Sequence, residues 1–251
     1  FSPEDFDGKI IILDEVKSVV KHLLHSSTVK NRDKIMGLFG EAIRRARQVI
    51  CLDGLMADWV VDYLHSLAPE KQIIRAENTY VGEKPRINFL LGSAGVDNKV
   101  KVNDRSLWLK YLLEDSPMPA VCSDSQVMIE ALDELLSAKG LKVLRVDSKT
   151  VHEQHVKDFL LNCDEYIEQN RPDVLLYTPS AESGVDVSIP NHFTHHFAFF
   201  FGVLDIDGIL QMIGRIRDNI TKFVWCKSFV VDDEKQHSNS PFIETIAKSI
   251  N

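Results

Sequence analysis

Lys9-Ile10-Ile11-Ile12-Leu13-Asp14-Glu15 is a continuous apolar run that stops in two adjacent acids. Apolar residues without alternation read as a strand buried on both faces, the habit of parallel sheets. Parallel strands need crossovers, so such a run predicts a helix between each strand and the next. The rest of the chain follows that pattern. Further strands are expected at 49–52, 86–91, 120–123, 141–146, 174–177, 196–201 and 221–227, with a short one at 73–74. Helical spacing occupies 31–48, 57–67, 105–114, 125–138, 151–169 and 206–217, and a terminal helix is expected at 242–250. Asp53-Gly54 stops one strand and Gly140 ends one helix. Strand and helix alternating in this way predict an α/β fold, a mostly parallel sheet with helices on both faces.

Composition sets outer bounds. A chain of 251 residues with 44% hydrophobic and 26% charged residues is ordinary for one or two globular domains. No apolar stretch approaches the roughly 18 residues of a membrane span, so no membrane partner is expected. The start, Phe1-Ser2-Pro3-Glu4-Asp5, has neither a basic nor an apolar leader segment, and no initiator methionine. The expectation is a cytoplasmic protein that is processed or cut from a longer one. Cys51, Cys122, Cys163 and Cys226 are far apart in sequence and read as reduced thiols rather than a disulfide framework or a zinc site. A net charge of −8 argues against a surface built throughout for nucleic acid, while leaving room for a local basic track.

Residues 77–85 are polar and contain both Gly82 and Pro85, so they read as a linker. They divide a thin front part, 1–76, from a part at 86–231 with strands enough for its own core. A polar stretch and the terminal helix, 232–251, follow.

Ligands of parallel sheets sit beyond the carboxyl ends of the strands. There the chain places Asp14-Glu15, Asp53, then Ser123-Asp124-Ser125, Asp147-Ser148, and the run from Thr178 to Asp186. Each has a plain reading, since Asp14, Ser125 and Ser148 suit helix caps. Together they suit phosphate chemistry. Adjacent carboxylates can hold Mg²⁺ and position a water, and hydroxyls at helix starts can meet a phosphate backbone. Near the end stands Gln211-Met212-Ile213-Gly214-Arg215-Ile216-Arg217-Asp218. Its two guanidiniums stay ionised and offer planar donor forks to phosphate oxygens.

These residues resemble superfamily 2 helicases. Leu13-Asp14-Glu15-Val16 is similar to their Walker B segment, Thr178 to Asp186 matches a T-x5-G-x-D segment, and Gln211 to Arg217 resembles a Q-x-x-G-R arginine motif. Asp53-Gly54-Leu55-Met56-Ala57-Asp58 sits where the segment coupling ATP to strand movement lies. The wording of the first and last motifs is most similar to herpesvirus origin-binding helicases and cyanobacterial plasmid replication proteins. The resemblance spans residues 9–227 and implies a RecA-like second motor domain together with part of a first.

By that resemblance, the cofactors are ATP and Mg²⁺. Asp14 would hold Mg²⁺ through water, Glu15 would orient the attacking water, and Gly184 and Asp186 would approach the nucleotide. Arg215, with Arg217 second, would serve as arginine finger, with Gln211 beside it. Ser123, Ser148 and Thr178 would touch DNA, either single-stranded or an origin duplex. The implied function is an ATP-dependent DNA helicase in replication initiation, including that of plasmids.

Two departures stand out. The sequence has no G-x-x-x-x-G-K-[ST] phosphate loop, so the missing N-terminal half of the first motor domain is the expected partner, and the fragment alone is expected to be inactive. The second arginine follows the first by two residues, which on an ideal helix places Arg217 among the isoleucines. Either the helix ends near Ile216 or Arg217 snorkels at the core edge. The rival reading is a non-catalytic, helicase-like module that binds nucleic acid or protein. His192, His195 and His196 lack metal-ligand spacing, Phe197 and Phe199–Phe201 read as core, and Arg44, Arg45 and Arg47 read as a solvated helix end.

Overall fold

The computed structural model describes residues 2–26, 28–54, 56–79, 85–91, 105–181 and 184–227. The expected polar stretch and helix at 232–251 lie outside them. The chain divides into two units, 1–80 and 81–251, and the division falls inside the linker read from the sequence.

In the first unit β1 (Ile10–Asp14) pairs in parallel with β2 (Gln48–Leu52), so Asp14 stands opposite Leu52. Three helices follow the alternation: α1 (Val16–His25), α2 (Arg32–Arg45) and α3 (Asp58–Leu67). Val16 and Val20 of α1 and Val60 of α3 are buried and pack with Leu13 and Cys51. The other sheet face carries Ile10 and Ile12. Ile12 is 63% exposed there, so the expectation of burial on both faces fails for β1. Helices α1 and α3 pack on the side of Leu13 and Cys51, and alternation along the strand turns Ile10 and Ile12 away from them. The strand expected at 73–74 does not form, and Ile74 is 84% exposed. Arg45 makes ion pairs with Asp7 and Glu41, and Arg44 with Glu41, so these guanidiniums hold the helix end to neighbouring acids.

The second unit is a six-stranded sheet in which every pairing is parallel: β3 (Ile87–Leu91), β4 (Pro119–Ser123), β5 (Val143–Val146), β6 (Val174–Tyr177), β7 (His195–Phe200) and β8 (Thr221–Cys226). The spatial order is β3-β8-β7-β4-β6-β5. Helices α4 (Arg105–Glu114) and α5 (Gln126–Ala138) cover one face, where Leu112, Ile129 and Leu136 meet Val121, Phe197 and Phe199. Helices α6 (Gln154–Leu161), α7 (Cys163–Asn170) and α8 (Ile206–Gly214) cover the other, where Phe159, Ile167, Ile209 and Met212 meet Ala120, Cys122 and Ala198. Period-2 alternation along β4 and β7 thus feeds two cores at once.

The single helix expected at 151–169 is two helices. Asn162 breaks it by adopting an extended backbone, and its side chain accepts the Glu165 N–H at 3.3 Å to start α7.

From β4 the chain runs out to β5 and β6 on one side and returns as β7 on the other, the reversal that opens a crevice at strand carboxyl ends. Asp124, directly after β4, laces that point. Its carboxylate accepts the N–H of Phe201 at 2.7 Å and of Val203 at 2.9 Å, both beyond β7. Replacing Asp124 by alanine is expected to cost about 1–3 kcal/mol in urea unfolding, since these donors lose a charged acceptor. An unchanged midpoint would contradict that role.

Candidate functional site

Helix α8 begins at Asp205, whose side chain accepts the Gly208 N–H at 3.0 Å. Ile209, Met212 and Ile213 bury its inner face. It ends at Gly214, three residues earlier than the spacing predicts, because Ile216 leaves the helix to bridge Val187 in parallel. Val187 N–H donates to the Arg215 carbonyl at 2.9 Å, and Arg217 N–H donates to the Val187 carbonyl at 2.8 Å. Of the two sequence alternatives, the first holds. Arg217 is off the helix, its side chain is 64% exposed, and it does not enter the isoleucine stripe. Instead it makes a two-pronged pair with Asp186, Nε–Oδ1 at 2.6 Å and Nη2–Oδ2 at 2.7 Å. Two residues picked from separate motifs are therefore in direct contact. Arg215 is half-buried, and among the described residues its guanidinium makes no hydrogen bond or ion pair. Gln211 is half-buried one turn back on α8.

Beneath this turn lies a group that motif reading missed. Lys222 of β8 is only 4% exposed, and its ammonium donates to the carbonyls of Ile213 at 2.7 Å and Ile216 at 2.8 Å. The Tyr177 hydroxyl donates to the Met212 carbonyl at 2.8 Å and lies 3.0 Å from His196 Nε2. With the tyrosine proton on Met212, Nε2 must be the donor, and burial keeps the ring neutral with that proton on Nε2. Burial also pushes Lys222 down to about 8 and the Cys122 and Cys226 thiols up to about 12. The one sequence signal was a lysine inside an otherwise apolar strand.

The loop after β6 packs close to this turn. Thr178 is 2% exposed, its hydroxyl 3.4 Å from Ser180 Oγ. Gly184 lies against α6: a Cβ there would sit 2.7 Å from Leu160 Cδ2. Its carbonyl accepts from the Cys163 thiol at 3.3 Å, and Asp186 N–H donates back to that sulfur at 3.4 Å. The glycine thus serves close packing.

The other hydroxyls part company. Ser123 is fully buried, donating to the Phe199 carbonyl at 2.7 Å and accepting from Ser125 N–H at 3.1 Å. Thr178 is likewise a buried hydroxyl with an internal partner. Ser148 is exposed, in the turn where Asp147 accepts Lys149 N–H at 2.8 Å and Thr150 N–H at 3.0 Å. Ser125 caps α5, as its plainer reading has it.

In the first unit Asp14 and Glu15 are exposed at the end of β1. Glu15 has φ +50, a left-handed conformation unfavourable for a side-chain-bearing residue. Asp14 accepts the Glu15 N–H at 3.1 Å, and Asp53 accepts the Lys17 N–H at 2.8 Å, so Asp53 rather than Asp14 caps α1. Hard carboxylate oxygens suit Mg²⁺. Among the described residues no group of three or more His, Cys, Asp or Glu is arranged to hold a metal ion. His192 and His195 meet the Pro172 carbonyl and the Ser116 hydroxyl.

The family model described as origin of replication binding protein matches residues 4–138, more than half of the chain. The chain belongs to that family. An uncharacterized protein of Picosynechococcus sp. is 25% identical over 95% of this chain and 24% of its own length. A protein of African swine fever virus, assigned provisionally to a helicase/primase complex, is 25% identical over 83% of this chain and 19% of its own length. The chain thus spans about a quarter or less of these curated relatives. Among solved structures, S. cerevisiae Dbp5 bound to RNA and ADP BeF3 is similar with a TM-score of 0.57 at 14% identity, over 97% of this chain and 57% of that one. T. fusca Cas3 is similar with a TM-score of 0.57 at 13% identity, over 89% of this chain and 30% of that one. The fold is therefore the RecA-like α/β fold of helicase domains, and the family is helicase-like and related to replication. Among the described residues no helix is long and apolar enough to cross a membrane.

Gly184→Ala is expected to lower stability by about 1–3 kcal/mol through overpacking on Leu160, and Leu160→Ala is expected to offset part of that loss in a double-mutant cycle of urea unfolding. Simple additivity would contradict the contact. A pH dependence also follows. Lys222 loses its proton near 8 in the fold and near 10.5 when unfolded, so between those values the unfolded chain holds more protons and stability rises with pH. The thiols oppose this above their ordinary value of 9, which leaves pH 8–9 as the clear window. Urea unfolding is expected to show wild type gaining on Lys222→Met across that window, and a constant difference would contradict it.

Proposed function

We propose that this chain is part of an ATP-dependent DNA helicase that acts in replication initiation, plasmid replication included, with Mg²⁺ as the metal. The observation that carries the reading is Arg215. Its backbone is held on both sides, yet its guanidinium makes no ion pair among the described residues, the state of a donor fork kept for a phosphate. Family membership supports the replication role. The carboxylates of the first unit fit the reaction as well: Asp14 is exposed at a strand end to take Mg²⁺ through water, and Glu15 stands next to it to orient a water. Magnesium, when bound, would neutralise charge on the transferring phosphoryl group.

In the second unit Arg215 is the residue we assign to phosphate, with Gln211 and Arg217 near it in sequence. The Asp186–Arg217 pair joins the loop of Thr178 to the arginine turn, so a displacement of one would pull on the other. Ser148 is the hydroxyl we assign to the DNA backbone, since it alone of the three expected contacts is exposed.

The test is DNA-stimulated ATP hydrolysis by the full-length protein. Arg215→Ala is expected to lower the rate by about 10³-fold or more with DNA binding retained, the range for removing an arginine finger. Hydrolysis that survives this change would refute the role.

A further inference from the structure

We propose that Lys222 is a positioning residue for Arg215: from the floor of the sheet it clamps the carbonyls on either side of that arginine and so aims its guanidinium. The inference rests on the anion-binding reading of Arg215. A helix end leaves its last carbonyls without intrahelical partners. Many helices satisfy them by turning back through a left-handed residue. Helix α8 does not, because Arg215 stays right-handed at φ −64, ψ −27. Side chains from the sheet meet carbonyls here: Tyr177 that of Met212, which also accepts the Arg215 N–H, and Lys222 those of Ile213 in the helix and Ile216 just beyond it.

Lys222 costs the fold something. It stands in register with His196 near the amino ends of β7 and β8, buried, where an ammonium loses its hydration and an apolar side chain of similar size would pack freely. Its acceptors lie two residues before and one residue after Arg215. The Val187 bridge fixes the Arg215 carbonyl and the Arg217 N–H. The main chain on both sides of Arg215 is thereby anchored, while its guanidinium has no side-chain acceptor among the described residues, so its direction is set through the backbone. Electrostatics point the same way. Unsatisfied carbonyls at a helix end attract a nearby arginine onto themselves. With Lys222 on those carbonyls, Arg215 is left for an external anion.

The charged or titratable groups around Lys222 are Cys122 on β4, Tyr177 on β6, His196 on β7, and Arg215 and Asp218 beyond α8. Only Lys222 is expected to titrate near 8, since His196 is already neutral and the Cys122 thiol lies near 12.

The test uses nuclear magnetic resonance on the isotope-labelled chain, with the Arg215 Nε–H signal assigned by its loss in Arg215→Ala. Lys222→Met is expected to keep exchange protection in the sheet at Val121 and Phe197, to lose roughly tenfold or more at Val187 and Arg217, and to raise the mobility of Arg215 Nε. Unchanged protection and mobility would overturn the proposal. Should Lys222→Met fail to fold, the wild-type protein answers the question. A through-hydrogen-bond coupling from Lys222 Nζ to the carbonyl carbons of Ile213 and Ile216 is expected, with Arg215 Nε as well ordered as the N–H groups of Val187 and Arg217. No coupling, or an Arg215 Nε that moves freely while those N–H groups stay protected, would overturn it equally. Neither readout involves phosphate. A loose turn therefore sinks this inference alone, whereas a firm turn in a protein whose hydrolysis survives Arg215→Ala sinks the proposed reaction and leaves the clamp.

Discussion

The second unit is organised around the bonds from the Lys222 ammonium to the carbonyls of Ile213 and Ile216. They join the last strand of the sheet to the end of α8. Through the parallel bridge at Ile216 they reach Val187, and through Arg217 they reach Asp186 and the loop after β6. A charge buried this deeply is unfavourable unless its geometry is good. It sits at the turn that carries the two arginines, while the other deeply buried charge of the unit, Asp147, is met by the Lys149 and Thr150 N–H groups and by Arg145. Strain and buried polarity tend to collect where a structure must hold something in place. The left-handed Glu15 in the first unit belongs to the same class of feature.

Much of the fold was legible because its signals are local. The spacing over 105–114 and the apolar run at 174–177 coincide with α4 and β6. Alternation of strand and helix was enough to imply a parallel sheet. What failed depended on what lies across from a residue. Burial of β1 on both faces needs a second layer, and α1 and α3 pack on one side only. The break at Asn162 was hidden because the helical spacing continues through it, while its capping bond is a matter of three-dimensional geometry.

The candidate site was legible as motifs but not as contacts. The acids after β1 and the arginines after α8 stand at element ends as expected. Gly184 packs on Leu160, a partner that no motif spacing reveals. Ser123 and Thr178 have buried internal partners that residue type alone does not show. The doubtful register of Arg217 proved informative. The mismatch with a 3.6-residue period marks the place where α8 stops and the bridge to Val187 begins. Lys222 escaped notice because a single lysine in a strand usually faces water.

The account stands or falls on whether Arg215 is a pre-aimed anion donor. The most direct measurement is a titration of the labelled chain with inorganic tripolyphosphate, following the Arg215 Nε–H signal. The account predicts a saturable shift of that signal, with affinity falling about tenfold in Lys222→Met. A signal that does not respond, or equal affinities for the two proteins, would contradict it.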